Sequence, residues 1–133
     1  KRLYNDFSRK LGRRPECISF RRSGNQRTDA EMVLRRYVLA HDCPDAIFCR
    51  SDEILMGAYK ALRELGKAIP GDVALLGIDG IKDLEYLDSP VSTVVQPIEA
   101  MCMRAWQLLK DHMARPRRPI RHEVLEGKLL WRD

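Results

Sequence analysis

Along most of the chain apolar residues return at the spacing of one helix face, interrupted by short runs in which they are contiguous. Leu3, Tyr4, Phe7 and Leu11 predict a helix over 2–11, with Gly12 as its stop. Cys17-Ile18-Ser19-Phe20 is a short β-prone run behind Pro15, and it leads into a polar loop marked by Gly24. A second helix fits 28–40, with Thr28 as N-cap, Glu31 completing a capping box, and Met32, Val33, Tyr37 and Ala40 facing inward. Ala46-Ile47-Phe48-Cys49 has no polar alternation, the pattern of a parallel strand covered on both faces. Ser51 or Asp52 caps the next helix, Glu53 suits its positive end, and the stripe Ile54, Ala58, Ala61, Leu62 and Leu65 runs to a stop at Gly66.

Ile69-Pro70-Gly71-Asp72 reads as a turn, and Val73 to Ile78 as a further buried strand. A β-branched run at 91–95, a long helix at 98–113 and a strand-like segment at 123–131 complete the chain. Strand, helix, strand with a crossover of this length is a right-handed βαβ unit. The predicted class is α/β, an open parallel sheet with flanking helices.

The 133 residues leave room for one compact domain or for part of a domain split over two lobes. A hydrophobic fraction of 44% and a charged fraction of 32% fit a folded protein rather than a disordered one. No apolar run approaches the roughly 18 to 20 residues of a membrane span, and the first residues lack a signal peptide's apolar core. A cytoplasmic location without membrane contact is expected. Cys17, Cys43, Cys49 and Cys102 are widely spaced, with no C-x-x-C pair, so free thiols are expected rather than a metal site or a disulfide framework. The net charge of +5 is concentrated in Arg13-Arg14 with Arg21-Arg22, and in the Pro-punctuated run 115–121, which reads as a solvated connection after a helix.

Nucleophile-elbow, phosphate-loop, dinucleotide-fingerprint and H-E-x-x-H patterns are all missing, and His41, His112 and His122 have no nucleophile nearby in sequence. No enzyme activity and no cofactor is expected. The informative positions are strand ends, because ligands of open parallel sheets bind beyond the carboxyl ends of the strands. Phe48 and Ser51 lie at one such end and Asp79 at the next. An aromatic face, a hydroxyl and a carboxylate suit a sugar, polyol or nucleoside, whose hydroxyls donate to carboxylates and whose rings stack. Each also has a plain structural reading: Phe48 as core, Ser51 as helix cap, and Asp79 as acceptor for the amides of its own turn.

The segment Pro44 to Asp52 (PDAIFCRSD) followed by Met56-Gly57-Ala58 resembles the signature of LacI/GalR-type regulators. So do GKAIPGDVALLGIDG at 66–80, SPVSTVVQPIEAM at 89–101 and the closing GKLLWRD. The matches keep order and spacing from Pro44 to Asp133. The resemblance implies a periplasmic-binding-protein-like fold of type I, two α/β lobes with an effector between them. It also implies a homodimer, and DNA contact through an N-terminal helix-turn-helix that this chain does not contain. Lys1 is then expected to be an internal position, with 1–92 as part of the C-terminal lobe and 93–133 returning to the N-terminal lobe. Carried over by position, Asp79 matches the family's acidic effector acceptor, Ser51 a pocket Asn and Phe48 a pocket wall. The family's pocket Arg falls on Leu3, one place from Arg2, which is the candidate here. Gly80 stands where the family has a second Asp or Asn. Met56 and Lys60 match positions that face a partner across the dimer. A periplasmic sugar-binding protein shares the fold and is the nearer alternative; an α/β enzyme is the more distant one.

Overall fold

The computed structural model describes residues 2–20 and 23–132. Lys1, Asp133 and the Arg21-Arg22 half of the first basic stretch lie outside the described residues. The elements are α1 (Arg2–Lys10), α2 (Gln26–Ala40), β1 (Ala46–Phe48), α3 (Asp52–Glu64), β2 (Ala74–Asp79), a 3-10 turn (Lys82–Tyr86), β3 (Ser92–Val95), α4 (Ile98–Ala114) and β4 (Lys128–Leu130). The sheet order is β1-β2-β3-β4. β1 and β2 pair in parallel with Phe48 opposite Leu76, and β2 and β3 in parallel with Asp79 opposite Val95. β4 runs antiparallel to β3, with Val95 opposite Lys128. The βαβ unit is therefore as expected, and the sheet is mixed rather than wholly parallel.

α3 packs between α2 and β2 and carries the core. Its residues Leu55, Ala58, Tyr59, Ala61 and Leu62 are buried with Leu34 of α2, Leu75 of β2, Val73, Leu84 and Val91. Burying side chains of this size contributes roughly 1.5–3 kcal/mol each before entropy is counted, so α3 is the element on which the fold depends. The helices approach closely at Gly57, where an added Cβ would lie 2.1 Å from the Arg27 carbonyl oxygen. Arg27 then reaches forward to Glu53 of α3 and Asp83 of the 3-10 turn, at 2.7 and 2.8 Å.

Several local expectations are corrected. Cys17 to Phe20 joins no ladder among the described residues; Ile18 packs against the core edge instead, and β1 is the first strand of the described sheet order. Asn25, not Thr28, caps α2, accepting from the amides of Arg27 and Thr28 at 3.0 and 3.2 Å. Asp29 fixes the approach by accepting the Ser23 amide at 2.8 Å, so the helix starts earlier and Glu31 is left to pair with Lys60. Of the expected inward residues of α2, Tyr37 and Val33 are half-buried, whereas Met32 and Ala40 are exposed because Ala30 and Leu34 form the buried line. Only Lys128–Leu130 of the final segment forms a strand.

The two faces of the sheet are covered unequally. Leu75 and Gly77 of β2 are buried beneath α3, while Leu76 and Ile78 on the other face are half-buried and β1 is largely exposed. No residue of α4 is buried, and its Ile98, Met101, Trp106, Leu109 and Met113 form an exposed apolar stripe.

Candidate functional site

Parallel pairing brings the carboxyl ends of β1 and β2 to one edge. Phe48 ends β1 opposite Leu76, and Asp79 lies three residues beyond, about 10 Å further at roughly 3.3 Å per residue. Phe48 is 55% exposed in this chain and pairs with Leu76, which is half-buried on the less covered face of β2. Ser51 is the N-cap of α3, its Oγ accepting from the Ile54 amide at 3.4 Å. The hydroxyl proton is not used by that bond, so Ser51 can cap the helix and donate outward. Between them Cys49 is buried, and burial, with the Asp52 charge behind it, pushes its thiol up to about 12. It is a packed thiol rather than a nucleophile.

The chain leaves β2 through a strained bend: Asp79 has φ 129° and Gly80 φ 76°, both in the region that favours glycine. A carboxylate does accept the amides of this bend, but it belongs to Asp52. Its Oδ2 takes the Gly80 amide at 2.6 Å and the Ile81 amide at 3.0 Å, and Thr93 Oγ1 lies 2.9 and 3.0 Å from its two oxygens. Asp52 is fully buried at 0% exposure and sits in the first turn of α3, where the helix dipole favours negative charge. Asp79 is thereby released from serving its own turn. Its described side-chain partner is Gln96, whose Nε2 donates to Oδ1 at 2.6 Å. Gln96 reaches it because β3 pairs Val95 with Asp79.

The sequence pattern did not single out Gln96 or Thr93, and it left Asp52 as an alternative helix cap. Their partners lie 17 to 41 residues away, so only the strand register joins them. Among the described residues no group of three or more His, Cys, Asp or Glu could hold a metal ion.

The model of the periplasmic binding protein-like domain matches residues 1–133. The chain belongs to that family. Its domain is 37% identical over 90 residues to the ribose operon repressor of Haemophilus influenzae, covering 68% of this chain and 27% of that protein. It is 34% identical over 89 residues to the lactose operon repressor of Rhizobium radiobacter, covering 67% of this chain and 78% of that protein. Among solved structures, a LacI-family transcriptional regulator of Enterococcus faecalis with bound ribose superposes with a TM-score of 0.79 at 26% identity, over 94% of this chain and 45% of that one. These relatives place the chain in the LacI/GalR type of effector-binding domain, and they are regulators rather than enzymes. The chain spans about a quarter of the length of most of the repressors it matches.

Within this periplasmic binding protein-like domain the other predicted residues stand apart from the strand edge. Arg2, at the start of α1, has a side chain 95% exposed and 3.9 Å from Asp6; no described contact joins it to Phe48, Ser51 or Asp79. Met56 and Lys60 lie on the α2 side of α3, in a cleft of about 520 Å³ that also includes Arg27, Glu31, Glu64 and Leu87. Lys60 pairs with Glu31 at 2.9 Å and Glu64 at 3.7 Å, and Met56 is half-buried. No described helix is long and apolar enough to cross a membrane.

Proposed function

We propose that this chain is the effector-sensing part of a LacI/GalR-type transcription regulator and that Asp79, with Ser51 and Phe48, contacts a sugar, polyol or nucleoside-like molecule. The observation that carries this reading is the division of labour at the end of β2. Asp52 satisfies the bend amides, which leaves the Asp79 carboxylate to Gln96 and to the open edge. A charged acceptor there, a hydroxyl at a helix N-terminus and an exposed aromatic face form the donor–acceptor set a polyhydroxylated molecule requires. Nothing in this arrangement supplies an activated nucleophile, which supports a binding role without catalysis. The relatives with repressor names favour a regulator over a periplasmic binding protein, and a cytoplasmic location follows from that.

The expected division puts 1–92 in one lobe and 93–133 in the other; the unburied apolar stripe of α4 supports a second lobe for that helix, whereas β3 and β4 both stay in one sheet with β1 and β2. DNA contact belongs to an N-terminal helix-turn-helix outside this chain. A homodimer forms through α3, where Met56 and the ion-paired Lys60 meet a second copy. Met56→Glu should leave the full-length protein monomeric by sedimentation, since an unpaired charge in such a seam costs several kcal/mol; an unchanged dimer would move the interface elsewhere.

The functional reading is tested by fluorescence anisotropy of the full-length protein on its operator, with ribose, lactose or adenosine added in turn. One of them should shift the operator affinity at least about fivefold, the lower end of usual coupling energies. Operator binding indifferent to all three would reject this effector class.

A further inference from the structure

We infer that Asp52 is the positioning residue of this site: its buried carboxylate fixes the direction in which Asp79 presents its own. The inference rests on the proposed role of Asp79 as effector acceptor.

Asp79 and Gly80 occupy consecutive positions with φ of 129° and 76°, where β2 ends: Asp79 pairs with Val95 and its carbonyl accepts the Gln96 amide at 3.4 Å, while Gly80 lies beyond the ladder. A non-glycine residue stays in such a conformation only where surrounding contacts over-determine it. β3 supplies part of those contacts, and the side-chain part comes from Asp52, which accepts the two amides that follow Asp79. Hydrogen bonds from backbone amides to an ionised carboxylate are among the stronger ones, and with Asp52 excluded from water they are not exchanged for solvent.

The same carboxylate holds the other half of the pair. Thr93 donates to it from β3, and three residues on, Gln96 donates to Asp79. One buried group therefore sets the backbone beside Asp79 and the strand that carries its partner. The sequence makes room for it: at Gly77 of β2 an added Cβ would lie 2.0 Å from Asp52 Oδ1. The 3-10 turn beyond the bend is secured independently by Arg27 through Asp83. Loss of the Asp52 charge should therefore loosen 79–81 without releasing the rest of the turn.

The experiment is a double-substitution cycle on the full-length protein, read by calorimetric titration with ribose, lactose and adenosine and by amide hydrogen exchange. Asp52→Asn keeps the shape but loses one acceptor oxygen. It should weaken binding about tenfold, comparable to losing one charge-assisted hydrogen bond, and speed exchange at Gly80 and Ile81 while α3 and β2 keep their protection. Because Asp52 acts through Asp79, it should add less than about a further twofold loss on an Asp79→Asn background. Thr93→Val, which removes only the hydroxyl, should show the same pattern with a loss of about threefold and serves if Asp52→Asn does not fold. Wild-type affinity in Asp52→Asn or, where that variant does not fold, in Thr93→Val, or losses that multiply on the Asp79→Asn background, would overturn the inference while leaving Asp79 as effector contact. Unchanged affinity in Asp79→Asn alone, or a wild-type protein that binds none of the three molecules, would reject the functional reading itself and this inference with it.

Discussion

Two aspartates that neighbour the same bend do opposite work, and the difference is one of burial. Asp52 spends both oxygens inside the protein on amides and a threonine hydroxyl; Asp79, at the half-buried strand end, accepts from Gln96 through one oxygen. The glycines around them are shaped by these carboxylates and by β3. Gly77→Ala would drive a methyl to 2.0 Å from Asp52 Oδ1 and 2.9 Å from Leu55 Cδ1. Overpacking of that kind typically costs about 1–3 kcal/mol, so the variant should melt several degrees lower, and an unchanged melting temperature would show that Asp52 can move aside. The end of β2 was legible from sequence because a carboxylate after a buried apolar run stands out locally. Asp52 was legible only as a helix cap, since its amide and hydroxyl partners are 28, 29 and 41 residues distant.

Between elements, α2 is tied to α3 by the Gly57 approach and by Arg27, and the tie is sensitive to acid. The hydrogen bond from Arg27 holds the Glu53 carboxyl below its ordinary value of 4.5, and the Ser23 hydrogen bonds likewise lower Asp29. A depressed folded-state value means stability that is fully present above 4.5 and is lost as pH falls through the lowered folded value. Glu53→Gln should therefore flatten the acid limb of a stability–pH curve measured by urea unfolding between about pH 6 and pH 2, with little change in its shape near neutrality; a limb identical to wild type would remove Glu53 from the account. The boundaries of these elements were harder to read than their existence. Asn25 and Thr28 both suit a helix N-terminus, and the choice fell to Asp29, whose grip on Ser23 fixes the incoming chain one turn earlier. The run at 17–20 has strand-forming residues but no ladder among the described residues, a matter of available partners that local pattern does not contain.

At the scale of the molecule, the α/β class, the βαβ unit and the order of elements from Pro44 onward follow from contiguous apolar runs alternating with helical stripes. The unequal cover did not follow. Apolar strands without alternation predict cover on both sides; in this chain one face of β2 is buried and the other only half-buried, with α4 carrying a further unburied stripe. Both surfaces fit a chain that spans only part of its repressor relatives; the proposed function puts the strand-end residues at a crevice completed by the rest of the domain. The central claim is that Asp79 at that crevice is the acceptor for a polyhydroxylated effector. It is tested most directly by calorimetric titration of the full-length protein and its Asp79→Asn variant with the molecule among ribose, lactose and adenosine that binds the wild type. A charged-acceptor hydrogen bond is worth roughly 1.5–3 kcal/mol, so the account predicts an affinity loss of about ten- to a hundredfold with the melting temperature of the free protein nearly unchanged. Wild-type affinity in Asp79→Asn together with a lowered melting temperature would contradict it.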